Sequence, residues 1–320
     1  MKLEMPEKNY IQNIPFEAEL SRIHMQMPHF HPKSLELIYC LEGTVHLIAA
    51  DQDYDIFAGD VATVDNTDVH YISSDKDNLV LVFHINVEEM DNWDEIRYVF
   101  FACETQHCFP YQQEAMNRVK DLILTLSYHY FMGFPGAKSD YLGAVNQLSD
   151  ILLKYFNWYN FENQDEHMNE DLHRRFARVL DYVMKNYQSK ITVSYLAEKE
   201  HLNRAYFSQF ISKTIFTSFS SMVNYVRCFH AELLLLETDK SIADIAYECG
   251  FSDAKYLYKA FQELWHTTPR THRQKYRKYY EKASKEQNLN ITITGDTAAA
   301  IIRNYIVKWH FFKSFSWTSS

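Results

Sequence analysis

The stretch SIADIAYECGFSD, residues 241–253, continuing as AKYLYKAF through residue 261, decides how the chain reads. Ser241 stands just before an apolar run at helical spacing, where its side chain can accept a hydrogen bond from an orphan amide of the first turn. Gly250 marks a tight turn, and Ser252 is the expected cap of a second helix. Upstream, LAEKEHLNRAYFSQF at 196–210 repeats the pattern: a short helix, a turn of three to four residues, then a helix opening on Asn203. Thr192 and Thr268 are expected caps as well, with Pro269 at a first helical position where a missing N–H costs nothing. One long helix from Ser218 to about Leu236 lies between the copies. Residues 171–279 therefore read as an all-helical domain with two helix-turn-helix motifs. In such a motif the second helix can lie in a DNA major groove while the first crosses the backbone.

These residues closely resemble the AraC/XylS-type regulators. The resemblance rests on Leu196 and Ala197, Phe207 and Phe210, Arg227, Ala231 with Leu234 and Leu235, the whole run 241–253, Tyr256, Phe261, Pro269 and Arg273. It implies a DNA-binding transcription regulator, expected to be an activator, not an enzyme, and dimeric. Its implied partners are double-stranded DNA, RNA polymerase and a small-molecule effector. On the first reading helix the candidate DNA contacts are Arg204, Tyr206, Ser208, Gln209 and Lys213; on the second they are Asp253, Lys255, Tyr256 and Lys259. Arg suits guanine and Gln adenine, while lysines suit phosphates. Three positions depart from the family's frequent glycines: His201, Phe216 and His266. Histidine tolerates a left-handed backbone better than phenylalanine, so around Phe216 either distortion of the first motif or a rebuilt turn is expected.

Working outward, Ile23 to Ile85 reads as short strands separated by turn signals (LELIYCLEG, TVHLIAA, YDIFAGD, VATVDN, NLVLVFHI), the pattern of an antiparallel barrel. The fold class is thus α+β and multidomain, with a barrel at 1–110, a helical hairpin at 111–160, the helix-turn-helix domain at 171–279 and an extension of unknown role at 280–320. The hairpin follows from Met116, Val119, Ile123, Leu126, Leu142, Val145, Leu148, Leu152 and Tyr155, and either covers the barrel or forms a dimer interface. FENQDEHMNED, 161–171, reads as a linker. The tail either packs on the protein or begins a further domain.

His29, His31 and Glu36 with Gly43, and Gly59 with His70, resemble the two motifs of the cupin barrels, although Asp65 and Thr67 replace the family's Pro and Gly. The favoured expectation is a ligand pocket of His29, His31, Glu36, Tyr39, His70 and Phe83, with no cofactor. A hydroxylated effector, carbohydrate first, would be hydrogen-bonded by the polar groups and stacked on the aromatics. The alternatives are satisfied polar groups without a ligand, or a metal held by His29, His31, Glu36 and His70. A redox sensor at Cys103 and Cys108 ranks below these.

Charge sharpens the division. The net charge is −10, yet residues 1–169 carry 10 basic against 27 acidic side chains and residues 170–280 carry 17 against 12. A basic half beside an acidic one is expected where only one half meets an anionic polymer. Five scattered cysteines without a CxxC pair argue against a disulfide framework, and no apolar run is long enough to span a bilayer. The N-terminus has acidic residues and prolines where a secretory signal needs apolar ones, so a cytoplasmic, membrane-free protein is expected. Two rivals from other classes are a metal-dependent cupin enzyme and an interaction protein that no longer binds DNA.

Overall fold

The computed structural model describes residues 14–49, 52–90, 103–134, 138–156, 170–286 and 289–316, together with Tyr10 and Phe101. Among these, residues 170–282 form one compact unit and the others a second.

The second unit is built on strands β1 (Phe16–Arg22), β2 (Ser34–Glu42), β3 (Thr44–Ala49), β4 (Gln52–Phe57), β5 (Val61–Val64), β6 (His70–Ser73), β7 (Leu79–Asn86) and β8 (Ile291–Ile293). They form a five-stranded sheet, β5-β2-β7-β1-β8, and a three-stranded sheet, β4-β3-β6, antiparallel throughout. Strand alternation decides which side chains share a face. Ile38, Cys40, Val80, Val82, Ala62 and Val64 of the larger sheet pack against Val45, Leu47, Ile56 and Ile72 of the smaller one. Gly43, between β2 and β3, has φ +73, and a Cβ there would lie 2.1 Å from the Asp77 carbonyl oxygen. Only glycine fits that turn.

The outer face of the larger sheet is covered by helices. Phe83 of β7 stacks on Phe16 of β1 with ring centroids 5.1 Å apart, and Phe16 meets Phe134 edge-on. Helix α1 (Gln113–Phe131) packs on β1, with Met116, Val119, Ile123 and Leu126 buried; α2 (Lys138–Tyr155) packs on α1 with Val145, Leu148 and Leu152 buried. The exposed positions of α2 are small or polar: Ser139, Asp140, Gly143, Gln147, Asp150 and Lys154. The apolar stripes of the hairpin are thus used as cover. Pro135 and Gly136, and residues 161–169 of the expected linker, lie outside the described residues.

The helical unit holds α3 (Glu170–Asn186), α4 (Val193–Lys199), α5 (Arg204–Ser212), α6 (Phe219–Glu237), α7 (Ile242–Glu248), α8 (Ala254–Trp265) and most of α9 (Pro269–Glu286). It has two cores that share α6. Phe176, Val179, Leu180 and Val183 of α3 pack with Leu196, Phe207, Ile211 and, from α6, Met222 and Val226. The C-terminal half of α6 contributes Cys228, Ala231 and Leu235 to the other core, with Ile245, Ala246, Cys249, Leu257, Phe261 and Trp265. Arg227, at the junction, donates to the carbonyls of Tyr187 (2.9 Å) and Ser189 (3.0 Å) and so ties α6 to the end of α3. Gly250 has φ +82, and a Cβ on it would lie 2.5 Å from the Tyr187 carbonyl oxygen.

One expected cap needs correction, and two open alternatives are decided. The cap of α8 is Asp253, one residue later than Ser252: its carboxylate accepts from the Lys255 amide at 2.8 Å. At Phe216 the second of the two expected outcomes holds, a rebuilt turn without distortion of the first motif. His201 and His266 do adopt left-handed backbone (φ 57 and 49), whereas Phe216 is absent from the positive-φ residues and packs on Phe176 and Tyr225. The turn is rebuilt by Thr214, whose hydroxyl donates to the Ile211 carbonyl and accepts from the Phe216 amide. Of the two alternatives for the tail after 280, packing on the protein holds: β8 joins β1, and helix α10 (Gly295–Ser316) packs on α1 with Ala298, Ala299 and Ile302 buried.

Candidate functional site

Two sites emerge, one in each unit. In the helical unit, α5 and α8 each open on a capped turn, with Asn203 accepting from the Tyr206 amide (2.8 Å) and Asp253 from that of Lys255. Each helix turns its apolar residues inward: Phe207, Phe210 and Ile211 on α5, and Leu257, Ala260, Phe261 and Trp265 on α8. Helical periodicity then forces the rest outward. Arg204, Tyr206, Ser208, Gln209 and Lys213 are exposed, as are Asp253, Lys255, Tyr256 and Lys259. Beside α8, the start of α6 contributes the hydroxyls of Thr217, Ser218, Ser220 and Ser221 to a polar groove that also includes Lys259. Asp253 is occupied by capping, so its side chain already has a structural task.

In the barrel, His29, His31, Glu36 and His70 come together, all buried, with their potential ligand atoms within 4.8 Å of one another. Glu36 projects from β2 to the inner face, and His70 Nε2 lies 3.0 Å from its Oε2. His31 Nε2 is 3.5 Å from the same oxygen. His84, opposite Glu36 in the β2–β7 register, places Nδ1 3.8 Å from it. His29 and His70 each donate Nδ1–H to a backbone carbonyl, Met27 at 2.7 Å and Asp68 at 2.9 Å. That bond fixes the tautomer and aims Nε2 into the cluster. Burial alone would raise the Glu36 carboxyl, but the imidazoles of His70, His84 and His31 hold it well below the usual range. Burial lowers His70 as well, and the Glu36 charge and hydrogen bond outweigh it, leaving His70 raised. His29 is pushed well below its ordinary value by burial and by His70.

Tyr39 and Phe83 do not join this site. Odd-numbered positions of β2 pair with odd-numbered positions of β7, Leu37 with Phe83 and Tyr39 with Leu81, and face away from Glu36 and His84. Phe83 stacks on Phe16, and the Lys120 ammonium lies 5.8 Å from the Tyr39 ring centre. Period-two alternation was enough to separate them. The same alternation pairs His84 with Glu36, and this is the member that sequence reasoning left out of the pocket. The imidazoles nearly touch one another, with ring centroids 4.3 Å apart for His29–His70 and 4.9 Å for His29–His31. The space they enclose matches an ion better than a sugar ring. Metal–nitrogen and metal–oxygen bonds of about 2.0–2.2 Å set opposite ligands about 4 Å apart, so three imidazoles and a carboxylate at this spacing fit a divalent transition metal. When bound there, such an ion supplies positive charge against Glu36 and a centre able to exchange ligands.

The cysteines are all free, and four of the five are buried. Burial pushes Cys40 up to about 12 and raises Cys103 well above the ordinary thiol value, so these two are poor thiolates.

Comparison with known proteins agrees with this division. Residues 196–275 match the helix-turn-helix domain family, and residues 23–86 match the cupin domain family. An uncharacterized HTH-type transcriptional regulator of Staphylococcus aureus strain COL, SACOL0084, is 22% identical over 241 residues, which is 75% of this chain and 31% of that protein. The uncharacterized HTH-type transcriptional regulator YijO of Escherichia coli K12 is 29% identical over 101 residues, covering 32% of this chain and 36% of its own length. The chain thus spans about a third of the length of these relatives. Among solved structures, ToxT from Vibrio cholerae O395 aligns over 81% of this chain and 97% of its own, at 12% identity and a TM-score of 0.41. Among the described residues no helix is long and apolar enough to cross a membrane.

Proposed function

We propose that this chain, in which an AraC-type helix-turn-helix domain is joined to a cupin domain, is a sequence-specific DNA-binding regulator of transcription whose barrel senses an effector. The observation that carries this reading is the pair of capped helices α5 and α8. Each has its apolar side buried in one of two cores that share α6 and its polar side exposed. Two reading helices braced by one long helix suit two successive major grooves. Arg204 and Gln209 are assigned to base edges, and Lys213, Lys255 and Lys259 to phosphates. Tyr206, Ser208 and Tyr256 are assigned to the same surface. RNA polymerase as partner, activation as the sign of regulation, and a homodimer on repeated half-sites complete the proposal.

The test is fluorescence anisotropy of the chain with DNA from upstream of its own gene, over a salt series and against non-specific competitor. Arg204→Ala should weaken specific binding by about 1–3 kcal/mol and relax sequence preference, while Lys255→Ala should weaken binding to all sequences and reduce the salt slope by about one unit. Binding that is equal for specific and random DNA would remove the regulator reading.

For the effector, carbohydrate is the candidate that the sequence favours, but the packed histidines and the outward-facing Tyr39 and Phe83 favour a second reading, a divalent transition metal held by His29, His31, Glu36 and His70. Titration with cobalt(II), followed by its visible absorption, separates the two. One equivalent bound, and lost in His29→Ala, supports the metal; sugar-induced protection of the barrel without cobalt binding supports the pocket.

A further inference from the structure

Glu286, Asn290 and β8 hold the stretch of chain that leads into the histidine cluster. Glu286, in the last turn of α9, places Oε2 2.9 Å from His24 Nε2. Asn290 acts as a piece of strand: its Oδ1 accepts from the amides of His24 (2.7 Å) and Met25 (2.9 Å), and its Nδ2 donates to the Met25 carbonyl (2.8 Å). β8 then pairs with β1, Ile291 opposite Arg22 and Ile293 opposite Leu20. One short segment therefore grips the backbone on both sides of Ile23.

Beyond Met25 the gripped stretch runs beside β6. Met25 bridges Ser73, the Gln26 amide donates to the Ile72 carbonyl, and His29 and His70 exchange backbone hydrogen bonds in both directions, at 3.0 and 2.9 Å. Three of the four clustered groups, His29, His31 and His70, thus sit on two paired stretches, and the tail holds one end of that pair. The tail itself continues from α9, which starts at Pro269 in the helical unit and whose residues 283–286 belong to the barrel unit.

We propose that Glu286, Asn290 and β8 are the output arm of the barrel: closure of the histidine cluster on its ligand sets the position of residues 24–31, Glu286 and Asn290 read that position, and α9 carries it to the helix-turn-helix unit. The inference rests on the sensor reading given above. Its physical content is a coupling free energy: the ligand binds one arrangement of stretch 24–31 better, and the hydrogen bonds of Asn290 are complete in only one arrangement. The arm needs no contact with DNA and none with the ligand, which makes Asn290 a positioning residue.

The experiment uses the full chain, cobalt(II) as the probe and DNA from upstream of its gene. Visible absorption reports loading, anisotropy reports DNA affinity with and without cobalt, and hydrogen exchange reports the amides of 24–31 and 286–293. In the wild-type chain, cobalt is expected to change DNA affinity by about fivefold or more, in the range usual for coupled sites, and to raise protection in both segments. Asn290→Ala should take up cobalt with the same absorption band and bind DNA without metal within about threefold of wild type, yet lose most of the response to cobalt and the protection at 286–293. Glu286→Gln, which preserves shape, should reduce the response in part. An undiminished response in Asn290→Ala, or a cobalt band without any change in exchange at 286–293, would overturn the arm while leaving the metal reading in place. Absence of a cobalt band would overturn the metal reading, and the arm with it, while DNA binding stands on its own assay.

Discussion

At the scale of single residues, backbone geometry and burial make the sharpest demands. Gly250 combines a left-handed backbone with an approach to the Tyr187 carbonyl that a methyl group cannot share, whereas Gly133, also left-handed at φ +73, has nothing within 4 Å of a Cβ. Gly133→Ala should therefore cost only the left-handed penalty, about 1 kcal/mol, and Gly250→Ala should cost about 3 kcal/mol or more, because the end of α3 must move as well. Urea denaturation of the two variants checks this; equal losses would mean that the turn relaxes freely. His230 offers a second case. Its ring stacks on Tyr187 with centroids 3.8 Å apart, its Nε2 is buried without a hydrogen-bond partner, and burial lowers its pKa from 6.5 to about 4. The folded chain binds this proton more weakly than the unfolded one, so the contribution is whole above pH 6.5 and is lost as pH falls toward 4. The melting temperature of the wild-type chain should drop more steeply over that window than that of His230→Phe, which keeps a ring on Tyr187 and has nothing to protonate. Parallel curves would contradict the assignment.

At the scale of elements, Asp253 separates two roles that its sequence position leaves mixed. As the cap of α8 it should be replaceable by Asn, which caps equally well, but not by Ala, which should cost about 1 kcal/mol of stability. Asp253→Asn also removes a negative charge from the face proposed to meet DNA, so it should bind DNA more tightly than wild type at equal stability. If Asp253 instead accepts from a cytosine amino group, Asn there would weaken specific binding, and anisotropy distinguishes the outcomes. The helix-turn-helix repeat was legible because each cap, turn glycine and apolar period is a local constraint written in neighbouring residues. The first two histidines of the cluster were legible for the same reason, since His29 and His31 are two residues apart. Tyr39 and Phe83 were assigned by chemistry instead of by alternation, and alternation excludes them. β8 escaped notice because ITI is three residues long and its partner β1 lies some 270 positions away, where no local pattern points. Phe216 left two outcomes open for a further reason. A family's frequent glycine implies a positive φ, and here the Thr214 hydroxyl supplies an alternative turn that needs none.

At the scale of the whole molecule, the segregation of charge bears on the proposed binding of DNA. Residues 170–280 carry a surplus of basic side chains, residues 1–169 a larger surplus of acidic ones, and the net charge is −10. Two electrostatic effects of opposite sign therefore accompany any approach to a phosphate backbone. The phosphate contacts proposed for Lys213, Lys255 and Lys259 should strengthen steadily as salt falls, because each would release condensed counterions. Repulsion of the acidic barrel acts over a longer distance and is screened beyond about 10 Å at 0.1 M salt, but only beyond about 30 Å at 0.01 M. At and above about 0.1 M the contacts dominate, and the logarithm of the binding constant should fall linearly with the logarithm of salt concentration. Toward 0.01 M the repulsion reaches the duplex, and the line should bend to a shallower slope. Anisotropy over that range checks the expectation, and a charge-reduced barrel, with exposed Glu88, Glu89 and Glu114 changed to Gln, should restore part of the lost slope. A line that stays straight to 0.01 M in both proteins would mean that the barrel's field does not reach the DNA. Bending that persists undiminished after the changes would place its origin within the helical unit, where Asp253 and Glu263 lie among the lysines of α8.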